Sequence, residues 1–290
     1  MTSNSRFQVR PLLPEHIPWA RVIITHSNIF HSPVWPILYP TDLTCRAYAF
    51  FTASEKLMTL NTLTGLSYGL FDTQYTFKHP SSIPTGGKLH WDLTNTAATP
   101  QELLHQMDFP LVSIAMAHDA AEPRRDGSEW KEVIDILPRL ATLFGEVEKN
   151  DERDEGIWKP KVMGEVIYRG GTSTRADYEG LGCAKMLAHA CMREWKGRGY
   201  RGMQVGVAHP AVVRIFTEGL PQGMRGSVVA RLDTRGYEEV DAEGGRVRPF
   251  EVVHRWSPPW SKPLHWRSSL MVMGMPPIPS SQIMRSAHQG

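Results

Sequence analysis

The chain has 290 residues, of which 41% are hydrophobic and 21% charged, a composition typical of a globular protein with a substantial core. The formal net charge of +2 is too balanced to favour nucleic acid or an anionic membrane as partner, so small molecules or proteins are expected. No apolar run is long enough to predict a transmembrane helix. Three cysteines and a polar N-terminus favour a reducing, cytoplasmic location.

The first half of the chain predicts short strands separated by helices and proline-rich loops. Period-2 and period-3.6 patterns of apolar residues, bounded by proline, glycine and serine, set the limits of each element. Strands are predicted at residues 7–13, 66–71, 88–93 and 111–117, and helices at 15–27, 42–60 and 100–107, with a broken helix or loop at 28–40.

The second half predicts a more regular alternation of strands and helices. Ser128 is a plausible N-cap for a helix over 128–144 that Pro138 should kink, and the charged run 146–155 predicts a solvated loop. Strands follow at 162–168, 203–208, 227–232 and 252–256, and helices at 180–196 and 211–218. Residues 1–274 are interpreted as one domain, and 275–290 as a mobile, proline-rich tail.

The segment 172–184 carries the strongest functional signal. It reads Thr-Ser-Thr-Arg-Ala-Asp-Tyr-Glu-Gly-Leu-Gly-Cys-Ala and joins a predicted strand to a predicted helix. Glycine lets backbone N–H groups approach a ligand closely, and a helix start presents unpaired N–H groups at the positive end of the helix dipole. We therefore expect a pyrophosphate to bind at Gly180 and Gly182.

The helix after this loop is amphipathic, with Cys183, Leu187, Cys191 and Trp195 on one stripe. A lone Gly-x-Gly is a weak signal. The order of strand, Gly-x-Gly, amphipathic helix, Gly199-Tyr200, alternating strand and short helix is far more specific.

That order, over residues 162–219, resembles the acyl-CoA-binding motifs of the GNAT N-acetyltransferase superfamily. Residues 7–17 resemble the first strand and helix of the same family, and residues 68–72 and 86–91 are more loosely similar to segments of large fungal GNAT-like proteins. The resemblance implies an α/β (α+β) fold with a mixed central sheet flanked by helices, an enlarged N-terminal helical and loop region, and extra C-terminal strands.

The resemblance also implies which residues bind an acyl-CoA, acetyl-CoA above all. A strand backbone would pair with pantetheine, and main-chain N–H groups of the loop and helix start would hold the pyrophosphate. The first set is Gly171, Thr172, Ser173 and Thr174; the second is Tyr178, Glu179, Gly180, Leu181, Gly182, Cys183 and Ala184.

Two positions depart from the family pattern. Asp177 stands where arginine or glutamine is usual, so its carboxylate must point away from a pyrophosphate or cap the helix. Phe216 stands where a tyrosine often protonates the departing thiolate, and phenylalanine cannot donate a proton. Phe216 is therefore expected near the cofactor without that role, and another group or solvent must supply the proton, or the chemistry differs.

Catalytic candidates are Glu165, as a base on the strand before the loop, and His209, which follows the next strand and titrates near neutral pH. A glutamate at a strand edge and a hydrogen-bonded turn histidine are the structural alternatives. No histidine or cysteine spacing predicts a metal site.

The leading interpretation is an acyltransferase that transfers an acetyl group directly to a small amine. Two alternatives stay open: a GNAT-type scaffold diverted to CoA-independent isomerisation, cyclisation or decarboxylation, and a non-catalytic binding module. Neither the acceptor nor the oligomeric state follows from the sequence.

Overall fold

A mixed β-sheet forms the centre of the fold. The computed structural model describes residues 5–123, 127–241, 243–255 and 268–274. The described strands are β1 (Phe7–Pro11), β2 (Tyr68–Asp72), β3 (Lys88–Leu89), β4 (Met107–Asp108), β5 (Leu111–Asp119), β6 (Val166–Thr174), β7 (Gly202–Val207), β8 (Arg225–Leu232), β9 (Glu239–Val240), β10 (Arg246–Val247) and β11 (Ser268–Gly274).

Helices cover the sheet on both faces. They are α1 (Ile17–His26), α2 (Trp35–Leu38), α3 (Leu43–Ala53), α4 (Glu55–Leu63), α5 (Pro100–His105), α6 (Lys131–Ile136), α7 (Arg139–Lys149), α8 (Glu155–Trp158), α9 (Cys183–Gly197), α10 (Pro210–Thr217) and α11 (Glu251–Arg255). A π-helical turn, Ser27–His31, continues α1, and a 3-10 turn, Ala176–Tyr178, lies between β6 and α9.

The main sheet has seven strands in the order β1-β2-β5-β6-β7-β11-β8. Its neighbouring strands pair antiparallel except β6 and β7, which run parallel. A parallel pair needs a crossover connection, and α9 supplies it. The loop at the start of this crossover therefore leaves the sheet beside the only parallel pair among the described strands.

Two hydrophobic cores lie on opposite faces of the sheet. One is formed with α9 and α10 and includes Leu187, Trp195 and Phe216. The other is formed with α1, α3, α4, α6 and α7 and includes Ile23, Met58 and Leu143. The inner strand β5 is buried along its whole length and contributes to both cores.

Helix α9 forms because its apolar residues repeat at helical spacing. Cys183, Leu187, Cys191 and Trp195 are all buried against the sheet, and the Trp195 indole Nε1–H donates to the Leu66 carbonyl at 3.2 Å. The N-cap is Gly182 in the left-handed region (φ 75°), a conformation that favours glycine. The sequence-predicted helix 180–196 is therefore present, with its first turn starting at Cys183.

The predicted fold class is confirmed: a mixed central sheet flanked by helices, with added N-terminal helices and C-terminal strands. Several element predictions are wrong. The strand expected at 252–256 is helix α11 as far as Arg255. The expected loop at 146–155 is non-helical only over 150–154, because α7 continues to Lys149 and α8 begins at Glu155. The strand expected at 162–168 begins at Val166 and continues to Thr174. The predicted tail, 275–290, lies outside the described residues.

No helix in the described ranges combines the length and apolar character that crossing a membrane requires.

Candidate functional site

Strands β6 and β7 separate beside the glycine loop. Val166–Arg169 of β6 pair with Gly202–Val205 of β7. Beyond Val205, β7 continues to Val207 and is paired there with β11 but not with β6. Among the described strands, none pairs with this edge of β6 beyond Arg169. Alternate backbone N–H and C=O groups over 170–174 therefore face an opening between the two strands, which we call the β6–β7 cleft.

A β-bulge marks the closed end of this cleft. The β5–β6 register shifts so that Met116 faces Gly171 and Ala117 faces Arg169, which leaves Gly170 as the extra residue. A bulge locally frees backbone groups and re-aims side chains. At Gly171 a Cβ would lie only 2.8 Å from the Ile24 side chain, so the absence of a side chain there lets α1 pack against the bulge.

The loop opens onto the first turn of α9. Gly180 and Gly182 have positive φ angles of 78° and 75°, and neither would bring a Cβ within 4 Å of another group. Gly180, Leu181 and Gly182 are exposed. The N–H groups of Cys183 and Ala184 lie in the first helical turn, where no intrahelical acceptor exists. These groups form an accessible cluster of donors at the positive end of a 15-residue helix.

Two of the sequence-predicted donors are used within the loop itself. The Tyr178 N–H donates to the Arg175 carbonyl at 2.9 Å, and the Glu179 N–H donates to the Ala176 carbonyl at 3.2 Å. The Tyr178 side chain is buried, and its hydroxyl donates to the Asp72 carboxylate at 2.8 Å. Desolvation and that carboxylate raise the pKa of Tyr178. The N–H groups of Tyr178 and Glu179 therefore shape the loop, whereas Gly180, Leu181 and Gly182 are exposed.

A buried arginine neutralises Asp177. The Arg175 guanidinium donates to both Asp177 carboxylate oxygens, at 3.1 and 2.7 Å, and to the Phe109 carbonyl at 2.8 Å. The Arg175 side chain is fully buried, whereas Asp177 is about one third exposed. The acidic residue at this unusual position therefore forms a bidentate ion pair that removes most of its repulsion toward an anion.

A second arginine, Arg169, is buried, and no carboxylate of the described residues pairs with it. Its Nη2 donates to the Thr172 hydroxyl, while its Nε and Nη1 have no hydrogen-bond partner among the described residues. Its guanidinium lies 5.4 Å from the Phe216 ring and 5.7 Å from the Trp195 ring. Burial lowers the pKa of Arg169. An uncompensated buried charge costs on the order of several kcal/mol.

Polar side chains gather on the opposite face of β6, beside the bulge. A Cβ on Gly170 would lie 3.5 Å from the Asn61 amide nitrogen. The Asn61 amide oxygen lies 3.2 Å from His118 Nδ1, and the His118 ring lies 5.1 Å from the Tyr168 ring. Desolvation raises the pKa of Tyr168 to about 12. Asn61, His118 and Tyr168 thus form a partly buried polar cluster on the α4 side of the bulge.

The structure does not bring Glu165 to the cleft. Glu165 precedes β6 at the end remote from the loop, five residues and about 17 Å along the strand from the bulge. Its carboxylate accepts from the Lys161 N–H and from Arg201, both at 3.0 Å. These two hydrogen bonds lower its pKa. Its position and its ion pair with Arg201 both count against Glu165 as the base that the sequence predicts.

His209 follows β7 and caps α10. Its Nδ1 accepts the Ala211 N–H at 3.1 Å, the hydrogen bond of a helix N-cap. Desolvation of the ring, followed by the positive charge of Arg214, lowers the pKa of His209. The side chain therefore has the structural role that the sequence left open as the alternative.

The remaining residues that the sequence predicts for the site lie on β6, at the start of α9 and on α10. Gly171, Thr172, Ser173 and Thr174 lie along the unpaired edge of β6. Cys183 is buried, and burial raises the pKa of its thiol, so the side chain packs while its N–H stays at the helix start. Phe216 is fully buried in the α10 core. Within the described ranges, no three histidine, cysteine or acidic side chains come together as a metal site.

Sequence reasoning missed Arg169, Arg175, His118 and Asn61. The spacing of Arg175 and Asp177, two residues apart, is a sequence signal for a local ion pair. Arg169 gave no signal, because an arginine in a strand is usually exposed. The proximity of Asn61 to His118 depends on packing between α4 and β5, which no local pattern reports.

The fold is shared with solved structures, one of them named an acetyltransferase. The C-terminal condensation domain of Ebony, in complex with beta-alanyl-dopamine, is 16% identical, with a TM-score of 0.54 over 92% of this chain and 98% of that one. Arylalkylamine N-acetyltransferase 2 from Aedes aegypti is 10% identical, with a TM-score of 0.55 over 93% of this chain and all of the other. No family model and no curated protein matches the sequence. At such identities the likeness establishes the GNAT fold.

Proposed function

We propose that the protein is an acyl-CoA-dependent N-acyltransferase that transfers an acetyl group directly to a small amine. One observation carries the proposal: the edge of β6 that β7 leaves unpaired is followed, after the 3-10 turn Ala176–Tyr178, by a glycine loop and the N-terminus of α9. A cleft with free strand edges suits an extended amide-containing arm, and the helix start suits a pyrophosphate. An acyl-CoA has both parts in this order.

The proposed cofactor path uses this chain's backbone. N–H groups of Gly180, Leu181, Gly182, Cys183 and Ala184 would hold the pyrophosphate. Backbone groups of Gly171–Thr174 would pair with the amides of pantetheine. The cleft from Thr174 to Gly170 is about 13 Å long, from four residues at the usual rise of a strand. The thioester would then reach the bulge at Gly170, where the cleft closes.

The reaction proposed at the bulge is a single displacement. The amine nitrogen attacks the thioester carbonyl carbon, the new C–N bond forms, and the C–S bond breaks with its electron pair leaving on sulfur. Freed backbone N–H groups at the bulge would stabilise the charge that develops on the carbonyl oxygen.

His118 is the proposed acceptor of the amine proton, in place of Glu165 and His209. The Asn61 amide oxygen can only accept, so a hydrogen bond to it requires the hydrogen on His118 Nδ1. The cluster lies on the α4 face of the bulge, opposite α9. An amine that approached from this face would meet the base while the cofactor sulfur leaves toward the other.

The neighbours' names suggest where an acceptor search should begin. One of them is called an arylalkylamine N-acetyltransferase, and the other binds beta-alanyl-dopamine. Arylalkylamines are therefore the first proposed class of acceptor. The cytoplasmic location stays a prediction.

The test combines the protein, acetyl-CoA and a panel of primary amines, with release of free thiol and acetylated amine both measured. Equal amounts of thiol and acetylamine from one class of amine are expected. Conversion of a substrate without CoA consumption would instead favour diverted chemistry. A folded protein that binds no acyl-CoA would favour a binding module.

A further inference from the structure

We propose that Thr172 and Arg169 stabilise the departing thiolate of CoA, Thr172 by donating its hydroxyl hydrogen to the sulfur and Arg169 by orienting and polarising that hydroxyl. The inference rests on the proposed acyl-CoA function and deepens it, since it assigns the group that receives the leaving charge. Thr172 would touch the cofactor, and Arg169 would be a positioning residue.

The first support is the state of Arg169. Its side chain is 2% exposed and forms no ion pair with a carboxylate in the described part of the chain. Its Nε and Nη1 have no hydrogen-bond partner there. A guanidinium stays protonated, so this is a permanent positive charge inside the protein. A low-dielectric surrounding strengthens its field over a few ångströms. Such a charge favours a negative charge that develops nearby.

The second support is the direction of the hydrogen bond between the two side chains. Arg169 Nη2 can only donate, so the Thr172 hydroxyl oxygen accepts. The hydroxyl hydrogen is then free to point elsewhere, and donation from a cation makes it a stronger donor. Thr172 is half-buried on the β6 edge that β7 leaves unpaired. Its hydroxyl therefore lies where the cleft narrows toward Arg169.

The third support is Phe216. Its ring lies 5.4 Å from the Arg169 guanidinium carbon and is fully buried, so α10 contributes no acidic hydrogen at this place. Trp195 lies 5.7 Å away on another side. The two rings exclude water and other counter-ions from the guanidinium. The two rings thus fix the position of the guanidinium, and the Thr172 hydroxyl is its polar contact.

The chemical step balances without a further reactant. As the amine forms the C–N bond, the C–S electron pair moves to sulfur, and the thiolate accepts a hydrogen bond from Thr172 while Arg169 keeps all its protons. The amine proton goes to the base on the opposite face. The thiolate leaves with CoA and takes a proton from solvent after release.

The first experiment compares Thr172→Val, Arg169→Met and the control Thr217→Val with wild type. Thr217 also carries a hydroxyl, bonded to the Val213 carbonyl at 3.0 Å, beside Phe216. We expect kcat to fall about 10- to 100-fold in both site variants, with the KM for acetyl-CoA changed far less. The control should stay within about twofold, because its hydroxyl is bonded within α10 and does not contact Arg169 or Thr172.

Thermal unfolding of Arg169→Met separates this role from a structural one. Removing an uncompensated buried charge should keep or raise the Tm, even as kcat falls. A lower Tm together with unchanged kcat per folded molecule would overturn the proposal.

The second experiment titrates CoA and desulfo-CoA, which lacks the sulfur, across pH. In wild type, CoA should bind more tightly than desulfo-CoA as pH rises, because the thiolate is favoured; Thr172→Val and Arg169→Met should lose this advantage. If the affinity of CoA relative to desulfo-CoA changed equally with pH in all three proteins, the proposed role of Thr172 and Arg169 would be refuted. Failure of wild type to bind either ligand would instead refute the acyl-CoA function itself.

Discussion

Arg169 and Arg175 lie six residues apart on β6 and its loop, and both are buried, but their surroundings differ. Arg175 neutralises Asp177 and fixes the loop to the Phe109 carbonyl. Arg169 contacts the Thr172 hydroxyl and two aromatic rings, with no carboxylate partner in the described part of the chain. The paired arginine therefore shapes the site, and the unpaired one supplies charge to it.

Asp177→Asn tests the electrostatics of the loop. The substitution removes one negative charge and leaves Arg175 as a net positive charge near the proposed pyrophosphate site. We expect acyl-CoA affinity to rise about three- to tenfold at low salt, since two charges roughly 10 Å apart still interact in that range. The gain should shrink at high salt.

The control for this measurement is Asp135→Asn, which removes a surface charge paired with Lys131 on α6. Its affinity should match wild type. A weaker affinity for Asp177→Asn would mean that the ion pair holds the loop open, and that its charge matters less than its geometry.

His118→Gln tests the proposed base. Glutamine keeps a polar side chain beside Asn61 but cannot accept a proton at neutral pH. We expect kcat to fall about 100-fold, as for loss of a general base, and the acidic limb of the pH–rate profile to disappear. His105→Gln, at an exposed position on α5, is the control. An unchanged pH profile in His118→Gln would assign the proton to another acceptor.

At the scale of elements, the sequence predicted α9 and the strands around it because their apolar periodicity is strong and local. It did not predict the cleft or the bulge, because both depend on how β6 pairs with β5 and β7. The short apolar run at 252–256 was assigned as a strand, although a few apolar residues fit a helix equally well. Val253 is buried and Val252 exposed on α11.

Gly226→Ala tests the packing that positions α10. A Cβ at Gly226 on β8 would lie 1.8 Å from the Phe216 carbonyl oxygen, a backbone atom that cannot move alone. We expect the free energy of unfolding to fall by about 1–3 kcal/mol or more, as in other overpacked sites. Gly236→Ala, with no atom within 4 Å of its Cβ, is the matched control and should change little. Equal stability of the two variants in urea would contradict the close approach of α10 to β8.

At the scale of the whole molecule, strands from both ends of the described chain meet in one sheet, with β1 at one edge and β8 next to β11 at the other. We propose on this ground that residues 1–274 form one domain. Folding of this sheet requires long-range pairing, so its stability should be sensitive to groups that anchor distant segments. His26 is such a group, because its Nε2–H donates to the Pro100 carbonyl at 2.8 Å.

Stability should fall with acid through His26. Burial, which outweighs the hydrogen bond to Pro100, lowers its pKa to about 4. Between the unfolded pKa of about 6.5 and the folded value, the unfolded chain binds a proton that the folded one does not. We expect the free energy of unfolding, measured in urea, to fall by about 2 kcal/mol from pH 7 to about pH 5. In His26→Gln this fall should be smaller by the same amount. The same pH slope in both proteins would contradict this.

The most direct test of the central claim is calorimetric titration of acetyl-CoA into wild type, Gly180→Arg and Gly199→Arg. Both glycines have positive φ and open space at their Cβ, but Gly180 precedes α9 and Gly199 follows it. The account predicts micromolar binding that is lost in Gly180→Arg and kept in Gly199→Arg. Equal binding by all three proteins, or none by wild type, would contradict a cofactor site at the start of α9.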